Sequence, residues 1–494
     1  MHPRGLTRPA RFIAVKVLIV AAMGTVAADA ADPFSTGALT SGTQAGSYAA
    51  SAAMPPCAAD GVAQSPLSLW DVVDRALCNN PQTRSAWANA KASAAQVGAA
   101  RSAYLPTLSA GVSASRNRAD GGTRAGGAAL NGATVYNAES GSLAAGYLLY
   151  DFGVRDANLE NSLQTLAAAN FTQDATLQGV FLSAVQAYYQ LFGARASVEA
   201  AAEAERASLE SLKAAAARYD AGTATPADRL QAQTAHSQAT LNRIQAEGSA
   251  RNAEGALANV MGLDANRPVS YVAPASTAQN EQFDRNLEQL ISEARRRRPD
   301  LAAAEAQVRA AEANARAVRS AGMPSLSLSA NANYSGSSLS DPFHGQVVGI
   351  SLSIPIFTGF NSTYQIRAAQ ARVENQAAQR DSVNLQVALD VWRAYNNLST
   401  GMQAVRSSGD LLASAAASER VALGRYKAGA GSIIDLVTAQ SALANARQQN
   451  IQAVYSLFVF KAALAQALGR IDWDLLNEPG SRDRPREGEP GGTR

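Results

Sequence analysis

The pattern of apolar and polar positions changes its period along this chain. Apolar residues first recur at helical spacing from Leu69 to Leu77, and a second helix is predicted over about residues 82–103. The period then falls to two, with Leu108 and Val112 on one face and serines and glycine on the other. An alternation of this kind predicts a strand in an otherwise helical region.

The same change of period returns in the second half of the chain. Apolar residues alternate with serine, asparagine and glycine from Leu326 to Ala332 and from Val348 to Ile356. Two hairpins are therefore predicted, at about residues 105–152, where the second strand covers about 142–150, and at about 324–358. One apolar and one small polar face is typical of strands between lipid and an aqueous lumen. A half-buried soluble hairpin is the alternative, which the lack of further strands disfavours.

A very long helix follows each hairpin, over about residues 154–217 and 361–428, with no proline inside. At about 1.5 Å per residue, each helix spans roughly 100 Å. Apolar and small residues recur in alternating steps of three and four, as in a coiled-coil seam. Because no single globule can bury such a helix, these two helices must pack along other long helices.

Matching landmarks show that the chain contains a duplication. Pro81 and Pro299 stand 218 positions apart, whereas Arg218 and Arg425 stand 207 positions apart, and both pairs lie in similar local sequence. The copies therefore differ by a net 11 residues, which we assign to the Gly-rich loop at 119–134. A repeat of this length defines one structural unit.

The duplication gives a prediction of the domain organisation. The predicted segments are a signal peptide (1–30), a flexible N-terminal arm (31–65), repeat 1 (66–263), a linker (264–286), repeat 2 (287–470) and a disordered C-terminal tail (471–494). The signal peptide has a basic start, a short apolar stretch at 17–28 and small residues at its end. After residue 30 no apolar run reaches the length of a membrane helix, so we expect any membrane crossing to be made by strands.

Composition and charge exclude several functions. Charged residues make up 17% of the chain and the net charge is +3, so neither nucleic acid nor another polyanion is predicted as a partner. Beyond the signal peptide the histidines are His236 and His344, which leaves little material for a metal site or a catalytic triad. We expect no enzyme and no cofactor. Export permits a Cys57–Cys78 disulfide, although two free thiols are the alternative.

Four strands are too few to close a membrane barrel, since about eight is the smallest number known. An open edge in lipid leaves unpaired backbone groups, so the chain must form oligomers if the hairpins enter a membrane. A trimer supplies twelve strands and a dimer eight. The fold class predicted is mainly α with a small β part, built from a duplicated unit.

These paired units resemble the TolC-type outer-membrane efflux protein family, over about residues 66–470. The landmarks are the helix breaks before Pro81 and Pro299, the strand entries at Pro106 and Pro324, and an Arg-Tyr-x-x-Gly turn in each copy. The resemblance implies a homotrimer in the bacterial outer membrane. Its barrel of twelve strands would stand on a periplasmic helical tunnel whose far tip closes like an iris. The linker 264–286 and the chain ends would form an equatorial collar around the middle of the tunnel.

The resemblance places the gate at the two turns. After each turn a return helix is predicted, which runs to about residue 262 in the first copy and to about residue 469 in the second. The resemblance implies gate roles for residues at the ends of the long helices and at the starts of these return helices: Arg218, Tyr219, Asp228, Arg425, Tyr426 and Asp435, with Gly222 and Gly429 shaping the turns. By resemblance, Asp228 would pair with Tyr426 or with an arginine of the neighbouring helix. In a trimer Asp228 and Asp435 would each form a ring of carboxylates, which would attract cations. The alternative is that both residues only cap the return helices. Gly431 and Thr438 replace gate residues found in some members, so fewer closing bonds and a less acidic constriction are expected.

The predicted function is an exit duct in a tripartite export system, with a periplasmic adaptor and an inner-membrane ABC transporter or proton-driven pump as partners. Type I secretion of a protein toxin is the first interpretation, because no lipid-attachment cysteine follows the signal peptide. Efflux of drugs or other small molecules is the second. A periplasmic coiled-coil scaffold that never enters the membrane is a third.

Overall fold

The computed structural model describes residues 32–40, 66–120, 123–125, 128–130, 133–267, 269–274 and 286–470. The predicted signal peptide, Cys57, most of the linker and the C-terminal tail lie outside these residues. Cys78 is disulfide-bonded, and its pairing with Cys57 stays a prediction.

The helices of the two repeats correspond one to one. Over the described residues they are α1 (Leu69–Asn79), α2 (Pro81–Ser102), α3 (Val154–Asp220), α4 (Pro226–Val260), α5 (Leu287–Arg297), α6 (Pro299–Ser320), α7 (Asn361–Lys427) and α8 (Ile433–Ala467). The equivalent helices have equal lengths of 11, 22, 67 and 35 residues. This match confirms the duplicated, mainly helical fold.

Local sequence sets where the helices begin. Ser68 and Asp71 form a reciprocal capping box at the start of α1. Proline occupies the first position of α2, α4 and α6, where its missing N–H would have no helical partner in any case. The long helices α3 and α7 have no internal proline, so each continues for 67 residues.

Among the described residues, the strands at one end of the long helices form a four-stranded main sheet and a separate two-stranded sheet. They are β1 (Thr107–Asp120), β2 (Thr123–Ala125), β3 (Ala128–Leu130), β4 (Ala133–Tyr150), β5 (Ser325–Ser337) and β6 (Ser340–Ser353). The main sheet has the antiparallel order β1-β4-β5-β6. The two predicted hairpins are thus joined, with Leu143 opposite Ala332.

The second strand of the first hairpin is longer than its sequence pattern predicted, although the hairpin as a whole lies within the predicted residues 105–152. β4 starts at Ala133 rather than near residue 142, because β1 continues to Asp120 and supplies a partner for the extra residues. β1 and β4 are connected through residues 121–132, which include the short β2–β3 pair. β5 and β6 are connected through residues 338–339 alone. Most of the additional length of repeat 1 therefore lies at this hairpin tip.

Two apolar clusters lie where several helices pack against one another. The first surrounds Phe181, Tyr188 and Leu191 of α3, and the second surrounds Val391 and Leu398 of α7. Small residues let helices approach closely elsewhere. At Gly401, an added Cβ would stand 2.7 Å from Cδ2 of Phe460 on α8.

The junction between the two short helices is fixed differently in each repeat. Asn80 donates from Nδ2 to the carbonyl of Val260 at 3.0 Å, at the end of the return helix. Its counterpart Arg298 is buried and pairs with Asp300 at 2.6 Å and Asp390 at 2.8 Å. Burial alone lowers the pKa of the Arg298 guanidinium, but the bonds and charges of the two carboxylates raise it overall.

Part of the predicted flexible arm is packed against the helices. Residues 36–40 form a 3-10 helix, Arg101 donates to the carbonyl of Phe34 at 3.0 Å, and Leu39 packs near Val97 and Leu166. These contacts place residues 32–40 against α2 and α3, and the flexibility of the arm stays a prediction. Among the described residues, no helix is both long enough and apolar enough to cross a membrane.

Candidate functional site

The sheet presents two faces of different chemistry. Cross-strand register places Leu108, Val112, Leu143, Leu328, Val348, Ile350 and Leu352 on one face, and all but Leu328 of these are strongly exposed. Serine, glycine, alanine and asparagine dominate the other face. There, Ser113 and Ser140 are hydrogen-bonded at 2.8 Å, as are Ser327 and Ser351. A soluble monomer does not ordinarily expose a continuous apolar face of this kind.

Aromatic side chains border the apolar face where the strands meet the helices. Tyr150 and Phe152 form an edge-to-face pair at 4.8 Å, and Phe357 and Phe360 form another at 5.5 Å. Neighbouring Ile356 is 93% exposed. Aromatic residues at this level are typical of a boundary between lipid and water.

Both edges of the sheet lack a partner strand among the described residues. β1 pairs on one side with β4, and β6 pairs on one side with β5. The unpaired N–H and C=O groups along these edges are a template for another chain. The sheet is therefore complete only when its edges meet further strands.

The opposite end of the long helices carries the turns that the sequence indicated. Gly222 and Gly429 have φ values of +68° and +78°, in the left-handed region that favours glycine. Each amide donates to the tyrosine carbonyl three residues earlier, from Gly222 to Tyr219 at 3.0 Å and from Gly429 to Tyr426 at 3.1 Å. These bonds end α3 and α7 and reverse the chain into α4 and α8.

Both predicted carboxylates lie in capping boxes. Asp228 accepts from the amide of Thr225 at 2.9 Å, and Asp435 accepts from the amide of Ser432 at 3.3 Å. The hydrogen bond from the Thr225 amide, followed by that from its hydroxyl, lowers the pKa of Asp228. Asp228 is thus bound to its own helix start rather than to Tyr426. Whether the carboxylates also form rings depends on neighbouring copies.

Arg218 is the charged residue that contacts Tyr426 across the two repeats. Its guanidinium lies 4.3 Å from the centre of the Tyr426 ring and donates to the Tyr426 carbonyl and, at 3.4 Å, to that of Lys427. A cation at the end of a helix is favoured by the helix dipole. The contact therefore joins the long helix of repeat 1 to that of repeat 2.

An apolar cluster surrounds this contact. Its buried members come from α3, α4, α7 and α8: Ala215, Ala232, Tyr426, Ile433 and Leu436. Tyr426 is 4% exposed. Higher up, Ser211 and Gln440 are hydrogen-bonded, and Arg447 pairs with Glu203 at 2.8 Å. These contacts join the two repeats along the part of the helices that lies nearest the turns.

The second repeat-related arginine is placed differently. Arg425 is exposed, and the ring of Tyr219 is approached at 4.8 Å by Arg229 of its own return helix. Sequence reasoning missed the Arg218–Tyr426 contact because both repeats carry the same Arg-Tyr pair. The one available signal was a basic residue in the last turn of a helix whose carbonyls lack partners.

A long groove runs between α3, α4 and α8 above the tip, with a volume of about 1070 Å³. Its floor is formed by alanine, serine and glycine of α3, including Gly193, Ala200 and Ala204. Its walls carry amide side chains, including Gln238 and Gln448. The lining also includes apolar side chains such as Ile451 and Phe460, and it contains few charged residues.

The sheet and the turns together define a class of protein: an elongated helical body that meets lipid at one end and is tied by polar contacts at the other. The sequence matches the family described as outer membrane efflux protein over residues 72–263 and 290–470. Protein CyaE of Bordetella pertussis (strain Tohama I) is 33% identical over 427 residues, which cover 86% of this chain and 88% of that protein.

Two further likenesses agree. Outer membrane protein TolC of Escherichia coli (strain K12) is 25% identical over 430 residues, covering 83% of this chain and 84% of that protein. The crystal structure of the Campylobacter jejuni CmeC outer membrane channel superposes with a TM-score of 0.72 at 20% identity, over 81% of this chain and 85% of that one. This last likeness concerns the fold alone.

The chain belongs to the outer membrane efflux protein family. It is an outer-membrane exit duct whose helical part extends into the periplasm. Members of the family are channels rather than enzymes.

Proposed function

We propose that three copies of this chain form one channel that serves as the outer-membrane duct of a type I secretion system and exports a protein. The observation that carries the trimer is the sheet with one exposed apolar face and two unpaired edges. Three such sheets, joined edge to edge, would make a barrel of about twelve strands with its apolar face toward lipid. The long helices would continue the barrel as a tunnel.

The lining of this pore supports a polypeptide as cargo. The small polar face carries no charged residue along the four strands from Thr107 to Ser115, Ala138 to Gly146, Ser325 to Ser335 and Phe343 to Ser353. A neutral lining selects against neither sign of charge. An extended protein, which carries both signs, would therefore pass without being held.

The duct itself would hydrolyse nothing, and energy would come from an inner-membrane partner. We propose that a periplasmic adaptor seats helices in the groove between α3, α4 and α8, since amide walls offer hydrogen bonds and a floor of small residues allows close approach. The gate residues at the turns would face this assembly at the tip.

Efflux of small molecules is the second candidate. Relatives named for it include the antibiotic efflux pump outer membrane protein ArpC of Pseudomonas putida, at 26% identity over 414 residues. The scaffold interpretation does not fit an exposed apolar sheet face, because a protein that stays in water does not ordinarily expose a continuous apolar surface.

A deletion strain separates the two candidates. Type I secretion predicts that one protein disappears from the culture medium and returns with the wild-type chain, while susceptibility to antibiotics and detergents is unchanged. An unchanged set of secreted proteins with raised susceptibility would instead establish efflux. The duct is tested separately: outer-membrane extracts should contain an oligomer that survives unheated SDS gels and forms conducting pores in planar bilayers.

A further inference from the structure

The two repeats place an equivalent arginine near the end of each long helix, but within the described part of the chain only one of the two is hydrogen-bonded. Arg218 donates to the carbonyl oxygens of Tyr426 and Lys427. Arg425, 207 positions later, is exposed, and across the described residues its guanidinium makes no hydrogen bond or ion pair. One of two equivalent cations thus has no acceptor among the described residues of its own copy.

The equivalent acceptors are present at the end of α3. The repeat offset assigns Tyr219 and Asp220 to the positions of Tyr426 and Lys427. The carbonyl of Tyr219 accepts from the amide of Gly222 at 3.0 Å, as that of Tyr426 accepts from its own turn glycine. A carbonyl oxygen can accept two hydrogen bonds. Arg218 supplies the second bond at Tyr426, and Tyr219 has no such arginine within the described chain.

We propose that Arg425 of one copy binds the carbonyl oxygens of Tyr219 and Asp220 at the end of α3 in a second copy of this chain. The inference rests on the proposed trimer. In a ring of three copies, repeat 1 adjoins repeat 2 within a copy, and repeat 2 adjoins repeat 1 of the next copy. The contact that repeat 1 makes with repeat 2 of its own copy is then repeated by repeat 2, which makes the equivalent contact with repeat 1 of the next copy.

Charge favours the contact between copies. Arg218 enters beside Lys427, which has the same charge, whereas Arg425 would enter beside the exposed carboxylate of Asp220. Opposite charges add a charge-assisted hydrogen bond to those from the carbonyls. The ring of Tyr219 is already occupied by Arg229, so the carbonyls and the carboxylate are the acceptors for Arg425.

The seam between copies also has less apolar support. Within the chain, Ile433 and Leu436 are buried beside the contact. At the equivalent positions of repeat 1 stand Pro226 and Arg229. The seam between copies therefore depends more on Arg425 than the internal seam depends on Arg218.

Cysteine cross-linking of the full-length protein tests this contact. The variant Arg425→Cys/Asp220→Cys, treated with a short bismaleimide in outer-membrane extracts, should give covalent dimers and trimers on heated SDS gels. The matched control Arg218→Cys/Lys427→Cys should cross-link within one copy and stay monomeric. An oligomer on unheated gels that yields only monomers after heating the treated Arg425→Cys/Asp220→Cys variant would overturn the proposal and leave the proposed channel intact. If the wild type forms no oligomer, the proposed channel fails, and this contact with it.

A charge exchange gives a second measurement that needs no cysteine. Arg425→Asp should lower the temperature at which the oligomer dissociates on SDS gels, and Arg425→Asp/Asp220→Arg should restore part of the loss. Arg406→Asp, an equally exposed arginine of α7, should change nothing. Failure of the exchange to restore any of the loss would contradict a pairing of these two residues.

Discussion

The guanidinium of Arg218 lies over the ring of Tyr426 and donates to the carbonyl of the same residue. One side chain of repeat 1 thus holds both the aromatic group and the helix end of repeat 2. Because Tyr426 is buried among apolar residues, the contact fixes the two repeats relative to each other at the turn end of the long helices.

Loss of this contact should open the tip. Arg218→Ala is expected to raise the conductance of the channel in planar bilayers by about twofold or more, because the long helices are then free to separate. Arg218→Lys should show most of the same increase, since an ammonium cannot reproduce the planar fork over the ring. Arg206→Ala, an exposed arginine of α3, is the control. Equal conductance of Arg218→Ala and wild type would remove Arg218 from the gate.

The two roles of Asp435, capping and charge, can be separated. Asp435→Asn keeps an acceptor for the Ser432 amide but removes the charge, so cation selectivity should fall if a ring of carboxylates forms. Ser432→Ala keeps the charge and removes the hydroxyl cap, at a cost of about 1 kcal/mol to the helix start. Reversal potentials in a salt gradient measure the selectivity. If cation selectivity fell in Ser432→Ala but stayed unchanged in Asp435→Asn, capping would be the only role of Asp435.

Acid should release the cap of α4 at low pH only. The folded-state pKa of Asp228 is lowered below 3.8 by the Thr225 amide and hydroxyl. A depressed carboxylate pKa gives stability that is present above the unfolded value and is lost as the pH falls through the folded value. The ¹³C shift of the Asp228 carboxyl should therefore titrate below pH 3.8, and Thr225→Ala should move the midpoint upward. An equal midpoint in both proteins would contradict the capping contact.

How far the sequence predicts this molecule depends on which interactions are local. Proline at the first helical position, glycine after Tyr219 and Tyr426, and the change of period near Leu108 are local signals, and the helices, turns and strands follow them. The pairing of β4 with β5 is a contact across the repeats, so no local pattern announces it. The contact of Arg218 with Tyr426 is also long-range. It distinguishes Arg218 from Arg425, although the two residues stand in the same local sequence.

Loss of the buried Arg298 at the start of α6 should lower the stability of the protein far more than loss of its neighbour Arg297. Arg298→Ala leaves Asp300 and Asp390 without their partner and is expected to cost about 3 kcal/mol of stability. Arg297→Ala removes a half-exposed pair with Glu293, which contributes roughly 0–1 kcal/mol. Thermal dissociation of the purified oligomer, followed by circular dichroism, compares the two. Equal effects would contradict the structural role of Arg298.

Two glycines of α7 should respond to alanine in opposite directions. Gly401→Ala would bring a Cβ within 2.7 Å of Phe460, so the helix pair must shift, and overpacking of this kind costs about 1–3 kcal/mol. Gly409→Ala meets nothing within 4 Å and should gain about 0.5–1 kcal/mol from helix propensity. Thermal dissociation again gives the readout. A stabilising effect of Gly401→Ala would contradict the close packing of α7 on α8.

The central claim is that β6 of one copy pairs with β1 of the next copy. The duplication predicts the register of this pairing. Ala145 lies opposite Ala330 on β4 and β5. The repeat-related pair is Leu352 on β6 and Val112 on β1 of the next copy, at the same offsets of 207 and 218.

The most direct measurement is cross-linking of Leu352→Cys/Val112→Cys in intact outer membranes, followed by heated SDS gels. The account predicts covalent trimers from this variant and monomers from either single substitution. Monomers from the double variant, under conditions in which Leu352→Cys/Leu326→Cys cross-links within one sheet, would contradict it.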